Sequence, residues 1–481
     1  MHVPPPEADA GDPIIAVNSA AARQLYQKRL PIYPKAVHGL YRQIKWATLV
    51  VLLGIYYVTP WLRWDRGAGR PDQAVLVDFD GRRFFFGPLE LWPQEIYYVT
   101  GLMVLGALAL FLFTALFGRI WCGYACPQTV WTDLYLFVER RIEGDRTAQM
   151  RLAASRWTPS KIGKKLTKHA LWLVIAMVTG GAWIFYFTDA PTLFHDLFTG
   201  HASATSYFFV GLLTFTTYSL AGTMREQVCT YMCPWPRIQA AMIDVESLSV
   251  TYRAGRGEPR GAHKKGVSWE GRGDCIDCNQ CVAVCPMGID IRDGFQLECI
   301  NCGLCADACN TIMERVDRPR GLISYIAADS DENARPRFIR PRTILYALLL
   351  IALAALMTFG LLTRPTFGVD LIRDRNPAFV RLSDGSIRNG YTVRVLNMRT
   401  ARNVTITVET TAPIAMHGIG ATVSGGQARL EAAADTVTSA HLFVSIAPSK
   451  SGAPHSLRFV IRDAATGETV RKTSAFLSDA P

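Results

Sequence analysis

The sequence predicts a membrane protein of five transmembrane α-helices, with a cytosolic two-cluster ferredoxin-like insert and a C-terminal all-β immunoglobulin-like sandwich. Three observations carry that prediction. The chain has 481 residues, a mean hydropathy of +0.14 and only 19% charged residues, which is too long and too apolar for one soluble domain. Its twelve cysteines all fall into four short phrases. Its last hundred or so residues read as short β-rich runs separated by turn residues.

A bilayer core needs roughly 20 mostly apolar helical residues. Ile44–Leu62, Tyr97–Phe117, Ala170–Phe187 and Thr343–Leu362 meet that need, and Tyr207–Gly222, shorter and holding several Thr and Ser, is taken as a further span. Residues 1–42 form an N-terminal tail. It opens on Pro4-Pro5-Pro6-Glu7 with no basic stretch leading into an early apolar run, so no cleaved signal peptide is expected. Lys and Arg gather on the cytosolic side of membrane proteins. Here they gather in the tail (Arg23, Lys28, Arg29, Lys35, Arg42) and in the loop after the second span (Arg140, Arg141, Arg146, Arg151, Lys161, Lys164, Lys165, Lys168), whereas residues 188–206 contain none. The tail and the cysteine-rich region are therefore expected in the cytosol. An odd span count then sends residues 366–481 across the membrane to the periplasmic face.

The formal charge of +11 is accounted for by this topology. No aromatic-interleaved module accompanies it, so nucleic acid is not an expected partner. No Gly-rich dinucleotide fingerprint or phosphate loop follows a strand, which leaves nucleotide chemistry without a candidate site.

Residues 43–250 form a four-helix membrane region containing an internal repeat. Cys122, Tyr124, Cys126 and Pro127 recur as Cys229, Tyr231, Cys233 and Pro234, all displaced by 107 positions. Two such halves related about the membrane normal would bring both Cys-x3-Cys pairs to one depth, facing each other. After each Pro an amphipathic stretch (Thr129–Ile142, Ile238–Leu248) is expected to lie along the interface as a helix. Val75–Phe86 alternates around Asp80-Gly81 and predicts a hairpin.

Residues 251–335 comprise a Gly/Arg/Lys-rich stretch, 251–273, expected as a mobile linker, and the ferredoxin-like insert. Cys275-x2-Cys278-x2-Cys281-x3-Cys285-Pro and Cys299-x2-Cys302-x2-Cys305-x3-Cys309 have the spacing with which a short chain wraps two [4Fe–4S] clusters. In such pairs the fourth cysteine crosses to the other cluster. The first cluster would use Cys275, Cys278, Cys281 and Cys309, and the second Cys299, Cys302, Cys305 and Cys285. Structural zinc also takes four thiolates, but the doubled spacing favours clusters; clusters can also serve a fold alone, since spacing reports ligation and not potential. So small an insert would draw folding energy from its clusters.

Cys122, Cys126, Cys229 and Cys233 are the candidate catalytic thiols. On an α-helix, positions i and i+4 place Cβ atoms about 5–6 Å apart, farther than a disulfide allows. Two facing pairs would offer soft Cu(I) up to four sulfurs. The competing reading is four small buried residues at a packing seam. Copper, a quinone headgroup and a flavin all remain open. His195, His201, Asp189 and Asp196, in the 188–206 loop, read as polar loop residues, as does Met416-His417 in the sandwich.

After the fifth span, 343–362, strands are expected at Tyr391–Leu396, Val404–Thr410, Ala428–Ala432, His441–Ala447, Leu457–Arg462 and Thr469–Leu477.

Several long motifs carry a family resemblance. Gly118-Arg-Ile-Trp-Cys-Gly-Tyr-Ala-Cys-Pro-Gln-Thr-Val-Trp-Thr-Asp133, Glu139-Arg-Arg-Ile-Glu-Gly144 and Glu226-Gln-Val-Cys-Thr-Tyr-Met-Cys-Pro234 resemble the cytochrome c oxidase accessory proteins of the CcoG/FixG/RdxA type. So do Arg256-Gly-Glu-Pro-Arg260, Gly288-Ile-Asp-Ile-Arg-Asp-Gly294 and Trp92-Pro-Gln94, with Trp235-Pro236 a small departure. The resemblance implies a bacterial inner-membrane protein that supports assembly of cbb-type oxidase by reducing Cu(II) to Cu(I). Its implied partners are membrane lipid, copper ion, a cytosolic electron donor, and oxidase subunits or copper chaperones, with homo-oligomers left open. A quinol-oxidising membrane ferredoxin and a non-enzymatic assembly scaffold are the alternative readings.

Overall fold

The computed structural model describes residues 30–67, 70–263, 266, 268–327, 337–364, 367–398, 401–410, 412–434, 436–447 and 456–478. The part of the N-terminal tail that carries Arg23, Lys28 and Arg29 lies outside them. The chain divides into two compact units, Met1–Met357 and Thr358–Pro481.

In the first unit, Leu40–Trp61, Ile96–Phe117 and Pro159–Tyr186 are long and apolar enough to cross a membrane, as is Pro341–Leu362 at the junction with the second. Ile96–Phe117 holds no charged side chain at all. Pro159–Thr179 begins with proline at a position where its missing N–H is no loss, and the Thr158 hydroxyl accepts from the Lys161 amide. The expected span Tyr207–Gly222 differs from the other four. A 14-residue α-helix, Ala204–Thr217, runs on as a π-turn, Tyr218–Met224, and stops at Arg225 with φ 45°. Thr216 donates its hydroxyl to the Leu213 carbonyl, the kind of side-chain competition that loosens a helix ladder. The hairpin is present: Val75–Asp78 pairs antiparallel with Arg83–Phe86, and Leu89–Leu91 adds a third strand.

The two amphipathic stretches fold otherwise than expected. Pro127–Glu143 is helical, but its acidic residues face inward. Asp133 meets Lys45 at 2.9 Å, Glu139 meets Lys168 at 3.1 Å and Arg225 at 2.7 Å, and Glu143 meets Lys165 and Lys168 at 2.9 Å. Buried carboxylates need such partners, and the basic residues supplied by the neighbouring helices turn the polar face into a packing face. After Pro234 the helix is only Trp235–Met242, and Leu248–Tyr252 is a strand paired antiparallel with Ile323–Ala327.

That strand pair brackets the insert. The expected linker is thereby corrected: Thr251 and Tyr252 belong to the strand, Gly261 donates its amide to the Cys275 carbonyl, and Arg256 Nε donates to buried Asp274 at 2.6 Å. Gly and Arg suggested looseness; the arginine instead neutralises an interior carboxylate.

The second unit is a sandwich of two five-stranded antiparallel sheets. In one, the strands run Ile414–Ile419, Thr436–Ile446, Ile387–Asn397, Phe367–Arg373, with Val380–Arg381 also on Ile387–Asn397; in the other they run Thr422–Ser424, Gln427–Ala432, Arg402–Glu409, Ser456–Asp463, Thr469–Ala475. All six expected strands overlap these, and three of them, Val404–Thr410, His441–Ala447 and Thr469–Leu477, run one or two residues past the observed ends. Alternating residues such as Tyr391, Val393, Val404, Ile406, Leu442 and Phe459 close the core between the sheets.

Candidate iron–sulfur and thiol site

The insert repeats its backbone every 24 residues. Asp277 and Asn279 of the first cysteine loop have φ of 54° and 55°, and Asn301 and Gly303 of the second have 53° and 71°. Left-handed residues alternating in this way curl successive amides into a nest, a concavity suited to an anionic group. Asp and Asn tolerate that conformation better than other side chains. The first loop is held by Arg292, which grips both oxygens of Asp290 at 2.6–3.1 Å and also reaches Asp277 and Asn279 at 2.5 Å.

Cys281, Cys285, Cys299, Cys302 and Cys305 line one small cavity. Cys309 lies under the influence of Cys281, Cys278 and Cys275. Burial pushes the thiols of Cys281, Cys285 and Cys309 up to about 12 and that of Cys299 to about 11. Such thiols stay protonated until a metal displaces the proton. Buried thiols beside such nests fit [4Fe–4S] clusters.

The membrane cysteines are not a regular i, i+4 pair. Trp121–Ala125 and Val228–Met232 are both π-turns, and Cys126 and Cys233 follow them in extended conformation, each donating its amide back five residues. The wider π-turn and the following proline end each helix, so the second thiol of each pair leaves the helix axis. The two turns nevertheless come together. Cys122, Cys126, Cys229 and Cys233 line a single cavity of about 250 Å³. Cys122 is held by Gln239, whose Oε1 lies 3.0 Å from its sulfur, and burial pushes the thiols of Cys122 and Cys229 up to about 12. Among the described residues no three His, Cys, Asp or Glu side chains converge as a single-ion site requires. The four thiols thus share one cavity without closing on a single point.

The insert is seated on this cavity by its second cysteine loop. Leu297, Glu298 and Ile300 complete the cavity wall, and Cys122 and Cys229 pack in one apolar cluster with Cys285, Cys299, Cys302 and Cys305. Cys275 and Cys281 belong to a second cluster, around Val250, Tyr252 and Leu322, against which Cys309 packs and which Cys299 and Cys305 join to the first. Arg119, 2% exposed, donates to the carbonyls of Leu297, Cys299 and Pro236, tying the loop to both membrane halves. Tyr124 donates to the Cys302 carbonyl at 3.0 Å. The Asp307 carboxylate accepts the amides of Tyr41 and Arg42 at 3.2 and 2.8 Å, capping the first membrane helix from the insert. Sequence reasoning missed Arg119 because a cation after an apolar run reads as a topology signal; its place three residues before Cys122 was the available clue. His195 and Asp196 lie 3.5 Å apart, the histidine well exposed, on a short helix, Ala190–Thr199, where a loop was expected.

Comparison with known proteins agrees with this architecture. The Nitrogen fixation protein FixG of Rhizobium meliloti is 49% identical over 93% of this chain and 92% of its own length. Protein RdxA of Cereibacter sphaeroides is 54% identical over 78% and 81%, and Protein RdxB of the same organism 48% over 94% and 97%. The chain belongs to the FixG/RdxA family. Family models match three parts of it: a 4Fe-4S binding domain at 99–143, a 4Fe-4S dicluster domain at 224–328 and the IG-like fold at the C-terminus of FixG at 357–479. This FixG/RdxA-family chain is thus a membrane-type [4Fe–4S] electron-transfer protein.

Proposed function

We propose that this chain is a membrane cupric reductase that passes single electrons from a cytosolic donor to Cu(II) and releases Cu(I) for assembly of a copper-containing cbb-type oxidase. In this reading Cys275, Cys278, Cys281 and Cys309 hold one cluster and Cys285, Cys299, Cys302 and Cys305 the other. Bound clusters supply reversible one-electron storage, which matches the one-electron Cu(II)/Cu(I) couple. The observation that carries the proposal is the common cavity: the thiols of both membrane repeats meet the backbone around Cys299 there. The receiving set is then Cys275, Cys278, Cys281 and Cys309, and the delivering set is the one packed with Cys122 and Cys229. Arg119 and Tyr124 fix the delivering loop against the cavity, so no large movement is required between turnovers. The insert and the four thiols lie on the cytosolic side in this topology and the sandwich on the periplasmic side, following the distribution of Lys and Arg.

The test is anaerobic. Protein reduced with dithionite and freed of excess reductant is mixed with Cu(II) plus a Cu(I) chelator, or with a soluble quinone. Reoxidation by Cu(II) with one chelated Cu(I) per electron supports the proposal. Reoxidation by quinone but not by Cu(II) would replace it with quinone chemistry.

A further inference from the structure

We infer that Cys122, Cys126, Cys229 and Cys233 together hold a third [4Fe–4S] cluster, two ligands from each membrane repeat, which relays the electron to copper. The inference builds on the proposed electron path but not on the identity of its acceptor. A lone ion bound at roughly 2.3 Å from each sulfur would draw four thiols into contact. Here the four border a space of about 250 Å³ and no three converge. The eight insert cysteines behave alike: among the described residues they too form no single-ion group, which agrees with a cube that takes one thiolate at each iron.

Three further observations fit. The match to a 4Fe-4S binding domain at 99–143 contains only two cysteines, Cys122 and Cys126, half of a cube's ligands. The repeat supplies the missing pair from Cys229 and Cys233, on the same cavity. A cluster held by four thiolates is anionic, and a buried anion needs a countercharge. Arg119 lines the cavity at 2% exposure; its Nη groups are spent on carbonyls, and its Nε has no partner among the described residues. Trp235, on the same wall, likewise has an unpartnered buried Nε1. Donors of this kind hydrogen-bond cluster sulfurs and set their potential. The relay step balances simply: one electron arrives from the Cys285/Cys299/Cys302/Cys305 site, one leaves to Cu(II), and Cu(I) is the only product.

The test counts metal in the full chain, purified anaerobically in detergent after cluster reconstitution. Three cubes predict about twelve iron and twelve acid-labile sulfide per chain. The quadruple variant C122S/C126S/C229S/C233S should retain about eight of each, and that retention also proves the insert folded. Were the quadruple variant not to fold, Mössbauer quantification of the parent decides alone, with three cubes supporting the inference and two overturning it. Two cubes, with copper bound by the parent and lost from the variant, would make the thiols a copper site instead. A twelve-iron protein that Cu(II) fails to oxidise would uphold the cluster while removing the proposed acceptor.

Discussion

Arg292 shows how one side chain can hold a cluster loop. It joins Asp290, Asp277 and Asn279, the last two flanking Cys278, so the nest around the first cysteine set depends on a charged fork. Burial alone would raise the Asp290 carboxyl, but the Arg292 guanidinium outweighs it and holds it below the usual carboxylate range. A depressed pKa stabilises the fold above the unfolded value, and that stability is lost as pH falls through the folded one. Asp290→Asn should therefore cost about 1.5–3 kcal/mol near neutrality, where hydrogen bonds to charged groups are intact. The penalty should shrink on acidification below the ordinary Asp range. Urea titrations of cluster absorbance at several pH values would check both the size and the sign. The cysteines of this loop were legible from spacing alone; its arginine was not, because the partner carboxylates come from turns whose shape only the fold supplies.

At the scale of elements, the π-turns decide the geometry of the membrane thiols, and their glycine decides how closely the insert approaches. A Cβ on Gly123 would lie 2.6 Å from the Ile300 carbonyl, a backbone atom that cannot swing aside. Gly123→Ala should push the second cysteine loop away at a cost of about 1–3 kcal/mol. If electrons leave through this contact, reoxidation of the dithionite-reduced protein by Cu(II) should slow while iron content stays unchanged; an unaltered rate would place the exit elsewhere. The sequence announced both Cys-x3-Cys-Pro phrases and their repeat, and hence the shared cavity. It concealed the π-turns, because apolar spacing in so short a stretch does not separate one helical winding from another. It likewise concealed the inward face of Pro127–Glu143: Asp133, Glu139 and Glu143 look like a solvated stripe until Lys45, Lys168 and Arg225 are brought against them.

For the whole molecule, the division into two units has a thermodynamic consequence. The sandwich closes its own core from alternating strand residues and contains none of the twelve cysteines. The first unit buries its thiols among residues of the insert and the membrane helices. The buried core of the sandwich runs from Phe367 to Phe476, and the buried clusters around the thiols from Cys122 to Ile323, so stability lost in the sandwich is expected to leave cluster binding unchanged. Phe459, fully buried and tilted 58° against Tyr391 with ring centroids 4.9 Å apart, is the sharpest probe. Phe459→Ala should cost the sandwich about 3–5 kcal/mol, the usual toll for removing a buried aromatic ring. Limited proteolysis should then cut within residues 367–478 well before the parent protein is cut there. Iron and sulfide per chain should stay at the parent value, and so should the rate of reoxidation by Cu(II). A parallel fall in iron content would mean that the sandwich supports the cluster-bearing unit directly, and the two would have to be treated as one cooperative structure.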